Sequence, residues 1–169
     1  RKLADGKQVF WLDVNHVFKR PDGKIDTDRM WDLLHPSPAG AKAWVQAAEP
    51  TIAKLMGDEP LPPLPEKFAL WDEGGAPLGD GTFDDANAPV TLHRPANPNG
   101  TAMVICPGGG YGGVVVGPEG HGIAKWLNKH GITGVVLEYR LPKGRSEVPL
   151  LDARRAIRMA RFRAKEWGC

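Results

Sequence analysis

Apolar side chains recur with two different periods along this chain, and each period predicts a type of element. Over residues 39–56 they fall at spacings of three and four, which predicts one buried face of a helix. Ser37 is placed to cap that helix and Pro38 to occupy its first turn, while Pro50 should kink or split it. Residues 8–14 form a short continuous run of β-type residues and predict a buried strand.

The second half of the chain alternates between the two periods. The pattern predicts strands over residues 90–94, 101–106 and 132–139, and helices over residues 120–130 and 150–167. The strand at 132–139 is nearly continuous in apolar residues, as expected of a parallel strand covered on both faces. An alternation of strand and helix is typical of a mostly parallel sheet. The fold class predicted is therefore α/β.

A proline-rich stretch separates the two halves. Residues 57–66 carry four prolines within six positions, which neither continue a helix nor fit the interior of a sheet. We therefore predict a first domain segment over residues 1–56, a stiff linker over 57–66 and a second domain segment over 67–169.

Composition and charge narrow the function classes. The 169 residues are 41% hydrophobic and 25% charged, with a formal net charge of +2. Basic and acidic residues are interspersed, so nucleic-acid binding is not predicted. No apolar run approaches the ~20 residues of a membrane span. The histidines lack ligand-like spacing to cysteines or carboxylates, so no metal is predicted.

Asp32 and His35 lie three residues apart, just before the predicted helix at 39–56. A neutral imidazole can take a proton from a serine hydroxyl, and a nearby carboxylate can orient it and stabilise the imidazolium. The spacing alone is also compatible with a capping aspartate and a surface histidine. The pair is therefore a candidate base and orienting group.

A glycine-rich loop, residues 107–113, directly follows the predicted strand at 101–106. Glycines allow positive φ and let backbone N–H groups turn toward a ligand, so the loop could hold the oxyanion of acyl transfer. A phosphate or dinucleotide loop and a tight strand-to-helix turn are the alternatives. No acidic residue ends a following strand at the expected distance, and no Gly-Lys-Ser/Thr follows the loop.

The first half resembles the C-terminal end of SGNH (GDSL-type) hydrolases, especially the acetylhydrolase-like branch. The matching residues lie at 9–14, 18–23, 30–35, 37–40 and 44. The resemblance implies that this half is the C-terminal part of a flavodoxin-like α/β/α domain. The catalytic Asp-x-x-His of that family would then correspond to Asp32 and His35.

From residue 70 onward the chain resembles the N-terminal half of α/β-hydrolase esterases of the bacterial acetyl-xylan or feruloyl esterase-like and lipase group. The matching residues lie at 104–111, 119–127, 135–140, 152–158 and 166–168. The resemblance implies an incomplete α/β-hydrolase sheet, with the backbone of Gly109 and Gly110 as oxyanion donors. Tyr111 and His121 are candidates for lining a substrate pocket, although His121 also suits a surface position at a helix start.

The sequence contains two serines, Ser37 and Ser146, and neither lies in a Gly-x-Ser-x-Gly or Gly-Asp-Ser block. We therefore expect the chain to be an internal fragment of a two-domain serine carboxylesterase, lacking both nucleophiles. The resemblance implies deacylation of a small ester or an acylated polysaccharide without a cofactor. The sequence does not define the compartment; for the parent protein, a secreted or periplasmic location is the expectation.

Two other hypotheses remain at this stage. One is a catalytically silent chain that binds a glycan or a partner protein. The other is a nucleotide-binding α/β module built on the glycine loop.

Overall fold

The computed structural model describes residues 4–72, 75–81 and 86–169. Contacts group the chain into two units, Arg1–Leu61 and Pro62–Cys169. The division falls inside the proline-rich stretch, whose last residue already begins a strand.

The first unit contains one long helix and a short turn. The turn is a 3-10 helix, Asn15–Phe18, and the helix is α1, Pro38–Met56. The predicted cap is confirmed, because the Ser37 hydroxyl accepts a hydrogen bond from the Gly40 N–H. Helix α1 runs continuously through Pro50 rather than splitting there, and ends at Gly57, whose φ of 76° is left-handed.

The strand predicted at residues 8–14 is wrong. The Asp5 carboxylate accepts the N–H groups of Lys7, Gln8 and Val9, so the segment begins as a turn. The residues after it belong to no helix or strand and are mostly exposed, and no strand pairs with them in the described part of the chain. A β-type run becomes a strand only where a neighbouring strand supplies hydrogen bonds.

The second unit is built on a four-stranded mixed sheet in the order β1-β2-β4-β3. The strands are β1 (Glu66–Ala69), β2 (Pro89–His93), β3 (Ala102–Ile105) and β4 (Thr133–Leu137). Strand β2 pairs antiparallel with both β1 and β4, whereas β3 and β4 are parallel. The sequence pattern missed β1, which is short and mostly exposed.

Helices cover both faces of the sheet. They are α2 (Ile123–Asn128), preceded by a π-helical turn (Gly117–Gly122), then α3 (Glu147–Phe162) and α4 (Ala164–Trp167). Every residue of β4 is buried: Val135 and Leu137 pack in the core beneath α3 and α4, and Val136 packs on the opposite face against α2. The predicted α/β class is confirmed. The predicted helix at 150–167 is interrupted at Arg163.

No helix in the part of the chain that the structure describes is both long enough and apolar enough to cross a bilayer.

Candidate active-site elements

Asp32 and His35 form a hydrogen-bonded pair in the first unit. The Nδ1 atom of His35 lies 2.6 Å from Oδ2 of Asp32, while Oδ1 accepts the backbone N–H groups of Leu34 and His35. The His35 side chain lowers the pKa of Asp32 to about 2, helped by the backbone donors. With Nδ1–H held by the carboxylate, Nε2 is left as the proton acceptor, which is the arrangement of a general base and its orienting group.

The backbone around this pair is fixed by the start of α1. The Ser37 hydroxyl donates to the Asp28 carbonyl at 2.6 Å and accepts from Gly40 at 3.1 Å, and the Ser37 N–H donates to the Arg29 carbonyl. A side chain at Gly40 would collide with that same Arg29 carbonyl. Ser37 therefore caps α1 and also links the start of the helix to the backbone at Asp28 and Arg29.

The glycine loop in the second unit presents two backbone donors, the N–H groups of Gly109 and Gly110. The carbonyl of Gly108 accepts from Val115 at 2.9 Å and that of Gly109 accepts from Gly112 at 3.1 Å. In a trans peptide the C=O and the following N–H point in opposite directions. Those two internal hydrogen bonds therefore aim the N–H groups of Gly109 and Gly110 away from the loop interior.

Neither of these N–H groups donates to any atom within the described residues. Gly109 has a φ of 141° and Gly110 a φ of 60°, and a side chain at Gly109 would overlap the Gly113 carbonyl. Two adjacent unpaired N–H groups on a tightly folded loop form a concavity suited to an anionic oxygen.

Both glycines line a cleft of about 480 Å³. Tyr111 also lines it; the residue is 60% exposed, and its ring lies edge-on to that of Tyr139, with 6.4 Å between the ring centroids. The remaining lining residues are Cys106, Pro107, Gly108, Tyr139, Ser146, Pro149, Leu150 and Ala153. The structure thus brings three of the sequence-predicted residues, Gly109, Gly110 and Tyr111, into one cleft.

His121 lies elsewhere, against the buried His93. Nδ1 of His121 lies 2.9 Å from Nε2 of His93. His121 is not among the residues that line the cleft. Burial, with smaller contributions from the nearby His121 and Lys125, lowers the pKa of His93 to about 4. His93 is therefore neutral at pH 7, and the ring N–H of one histidine donates a hydrogen bond to the ring nitrogen of the other.

A buried ion pair joins the segment after β4 to α3 and was not singled out from the sequence. Arg140 and Asp152 are both almost fully buried and bonded at 2.8 Å, and Trp71 donates its indole N–H to the same carboxylate. Arg140 also donates to the Pro77 carbonyl. Because the partners are 12 to 81 positions apart, no local pattern reveals them. The pair ties α3 to the end of β4 and to the segment after β1.

Among the residues that the structure describes, no group of three or more His, Cys, Asp or Glu side chains is arranged to hold a metal ion.

The Asp32–His35 pair belongs to the first unit and the glycine loop to the second. The second unit has a mixed sheet with flanking helices, which is consistent with an α/β-hydrolase-like fold. No protein-family model matches the chain.

Two known proteins are similar to it. Over 85 residues, half of this chain, the sequence is 42% identical to an acetylxylan esterase of Xylanibacter ruminicola. The fold is similar to the crystal structure of an acetyl ester-xyloside bifunctional hydrolase from Caldicellulosiruptor lactoaceticus, with a TM-score of 0.50 and 30% identity over 60% of this chain. Both are ester hydrolases by name. The chain spans 18% of the length of the first and 38% of the second.

Proposed function

We propose that this chain is part of a serine-type carboxylic ester hydrolase. In the proposal, residues 1–56 are the end of an SGNH-type domain, residues 57–66 are a linker, and residues 67–169 begin an α/β-hydrolase domain. The observation that carries it is the pair of unpaired N–H groups at Gly109 and Gly110 on a cleft wall. The similarity to an acetylxylan esterase supports it.

His35 is the proposed general base of the first site. Its Nε2 takes the proton of a serine hydroxyl as that oxygen attacks the ester carbonyl, and later returns the proton to the leaving alcohol. Asp32 holds Nδ1–H at 2.6 Å, which fixes the tautomer and stabilises the imidazolium that forms. The exposed position of the His35 ring leaves Nε2 accessible to such a hydroxyl.

Gly109 and Gly110 are the proposed oxyanion donors of the second site. As the carbonyl carbon becomes tetrahedral, its oxygen gains negative charge and is stabilised by two N–H groups that need no reorientation. The hydrogen bonds at the Gly108 and Gly109 carbonyls supply that preorganisation.

The proposed substrate class is an acylated polysaccharide or a smaller acetyl ester, as the names of the two relatives suggest. Tyr111 offers an exposed aromatic face at the cleft on which a sugar ring can stack. The proposed chemistry calls for no cofactor.

Neither serine of this chain is assigned as a nucleophile. Ser37 is committed to capping α1, and Ser146, although it lines the cleft, makes no hydrogen bond to a histidine among the described residues. The proposal therefore assigns both nucleophiles to other segments of the parent protein.

Acetate release from acetylated xylan and from p-nitrophenyl acetate tests the proposal in the full gene product that contains this chain. His35→Ala and Gly109→Ala should each remove one component of the activity. Together they should lower the rate by about 10²–10³ or more, the usual effect of losing oxyanion donors.

The matched controls are His16→Ala and Gly113→Ala. His16 is exposed, and Gly113 has space for a Cβ and an ordinary φ, so both should retain full activity. Activity unchanged in the double variant would contradict the proposal. No acetate release from the unmodified protein would instead favour the silent chain that binds a glycan or a partner.

A further inference from the structure

The peptide unit that begins the glycine loop has both of its polar atoms held by side chains. The Tyr139 hydroxyl donates to the Pro107 carbonyl at 2.8 Å, and the Gly108 N–H donates to Oε2 of Glu119 at 2.8 Å. These two atoms belong to one planar group, so the two contacts fix its orientation from opposite sides. This peptide is joined through the Gly108 Cα to the peptide that carries the Gly109 N–H, so holding its plane limits the directions in which the next two N–H groups can point.

We infer that Glu119 and Tyr139 are positioning residues for the oxyanion donors Gly109 and Gly110. This inference rests on the proposed function of the loop. Neither side chain needs to touch the substrate's reacting atoms in order to act; each fixes the plane from which the donors follow.

The environment of each side chain agrees with this role. The pKa of Tyr139 is raised by burial, and by the nearby Tyr111, Cys106 and Glu119, so its hydroxyl stays protonated and can donate. A Cβ at Gly108 would lie 2.7 Å from Oε2 of Glu119, so a side chain at residue 108 would require the carboxylate to shift.

The π-helical turn brings Glu119 to the loop. Its neighbour Gly120 is buried, and a Cβ there would come within 2.8 Å of Val136 and 3.1 Å of Pro107. The turn is therefore seated directly on β4 and on the first residue of the loop. Tyr139 lies two residues beyond the end of β4, so both side chains are anchored to the same buried strand.

Placing an anionic carboxylate near an oxyanion site has an electrostatic cost, because like charges repel. If Glu119 acts through its acceptor oxygen rather than its charge, a variant that keeps the oxygen should behave differently from one that loses it. Glu119→Gln keeps an oxygen that can accept the Gly108 N–H and removes the charge, whereas Glu119→Ala removes both. Glu119→Gln should retain turnover at the second site, and Glu119→Ala should lower it.

The kinetic test uses the full gene product in a His35→Ala background, so that turnover of p-nitrophenyl acetate reports the second site. Tyr139→Phe and Glu119→Ala should each lower kcat about tenfold, the effect of one hydrogen bond lost in the transition state. KM should change less than about twofold, since uniform binding is not affected. Glu119→Gln should keep at least half of kcat. Glu147→Ala, an exposed carboxylate at the start of α3, is the control.

Hydrogen exchange on the same proteins provides a readout that does not depend on turnover. The N–H groups of Gly112 and Val115 donate to the loop carbonyls, so they should exchange faster in Tyr139→Phe and Glu119→Ala. Exchange should be unchanged in Glu119→Gln and Glu147→Ala.

The outcomes separate this inference from the function on which it rests. If Gly109→Ala abolishes turnover while Tyr139→Phe and Glu119→Ala leave both kcat and exchange unchanged, the positioning role is overturned alone. If Gly109→Ala leaves turnover unchanged, the proposed oxyanion site is overturned. The exchange rates then still decide whether the two side chains hold the loop.

Discussion

Asp32 is a carboxylate whose ionisation is controlled by the residue it is proposed to orient. Its partners are the His35 ring and the N–H groups of His35 and Leu34, and each stabilises the charged form. Since its pKa falls from 3.8 to about 2 on folding, this contribution to stability is fully present above pH 3.8. It is lost as the pH falls through about 2.

Replacing His35 by alanine should therefore raise the pKa of Asp32, but not all the way to 3.8, because the backbone donors remain. Carboxyl ¹³C chemical shifts measured over a pH titration would report it. Asp5 supplies an internal control: its pKa is also about 2, but the cause is backbone hydrogen bonds alone. The titration of Asp5 should not move. An unaltered Asp32 titration in the variant would contradict the 2.6 Å contact as its main cause.

The spacing of Asp32 and His35 made them a candidate pair, and the resemblance to SGNH hydrolases favoured that interpretation over a capping aspartate and a surface histidine. Glu119 and Tyr139 were not predictable in this way. They are 11 and 32 positions from the peptide atoms they hold, and only the path of β4 and the π-helical turn brings them together.

The π-helical turn is the element that connects the sheet to the glycine loop, and its close packing depends on Gly120. Gly120→Ala would place a methyl group against Val136 and Pro107. We expect a loss of about 1–3 kcal/mol in the free energy of unfolding, as for other overpacked sites, measured by urea denaturation.

Gly117→Ala is the matched control for that substitution. Gly117 lies in the same turn and has open space at its Cβ position. It should leave stability unchanged or slightly raised, because alanine favours a helical backbone. Equal destabilisation by the two substitutions would show that the turn itself, rather than the contact with β4, is sensitive.

The elements that the sequence predicted best are those with the clearest pattern of apolar side chains. Helix α1 and strand β4 have strong periodic or continuous apolar patterns and were predicted to within a few residues. Strand β1 escaped prediction because it is exposed along most of its length and is held by pairing with β2. Residues 8–14 show the reverse case: their side chains are of the β type, but no strand pairs with them among the described residues.

At the scale of the whole molecule, buried apolar side chains are distributed unevenly between the two units. In the first unit the buried apolar residues, as far as the chain is described, are Val17, Ala48 and Ala53. The apolar residues of α1 include Trp44 and Ile52, each about half exposed. The core of the second unit instead includes whole leucine, valine and tryptophan side chains. Hydrophobic stabilisation scales with the apolar area that is buried, so the first unit gains much less of this stabilisation than the second.

We therefore expect the amide hydrogens of α1 to exchange faster than those of β2 and β4 in the 169-residue chain. Most of the stability of a helix in a protein comes from tertiary packing of its apolar face, whereas β4 is paired on both sides and buried along its length. After correction for intrinsic rates, the difference should be at least roughly 100-fold, equivalent to about 2.8 kcal/mol of opening free energy.

Hydrogen exchange with mass spectrometry resolves the two segments directly. Strand β3 serves as an intermediate reference, because it pairs on one side with β4 and its Met103 is 45% exposed. The expected order of protection is β4 above β3 and β3 above α1. Protection of α1 equal to that of β4 would mean that the apolar face of the helix is covered in solution, since a helix with Trp44 and Ile52 open to water cannot resist opening as a buried strand does.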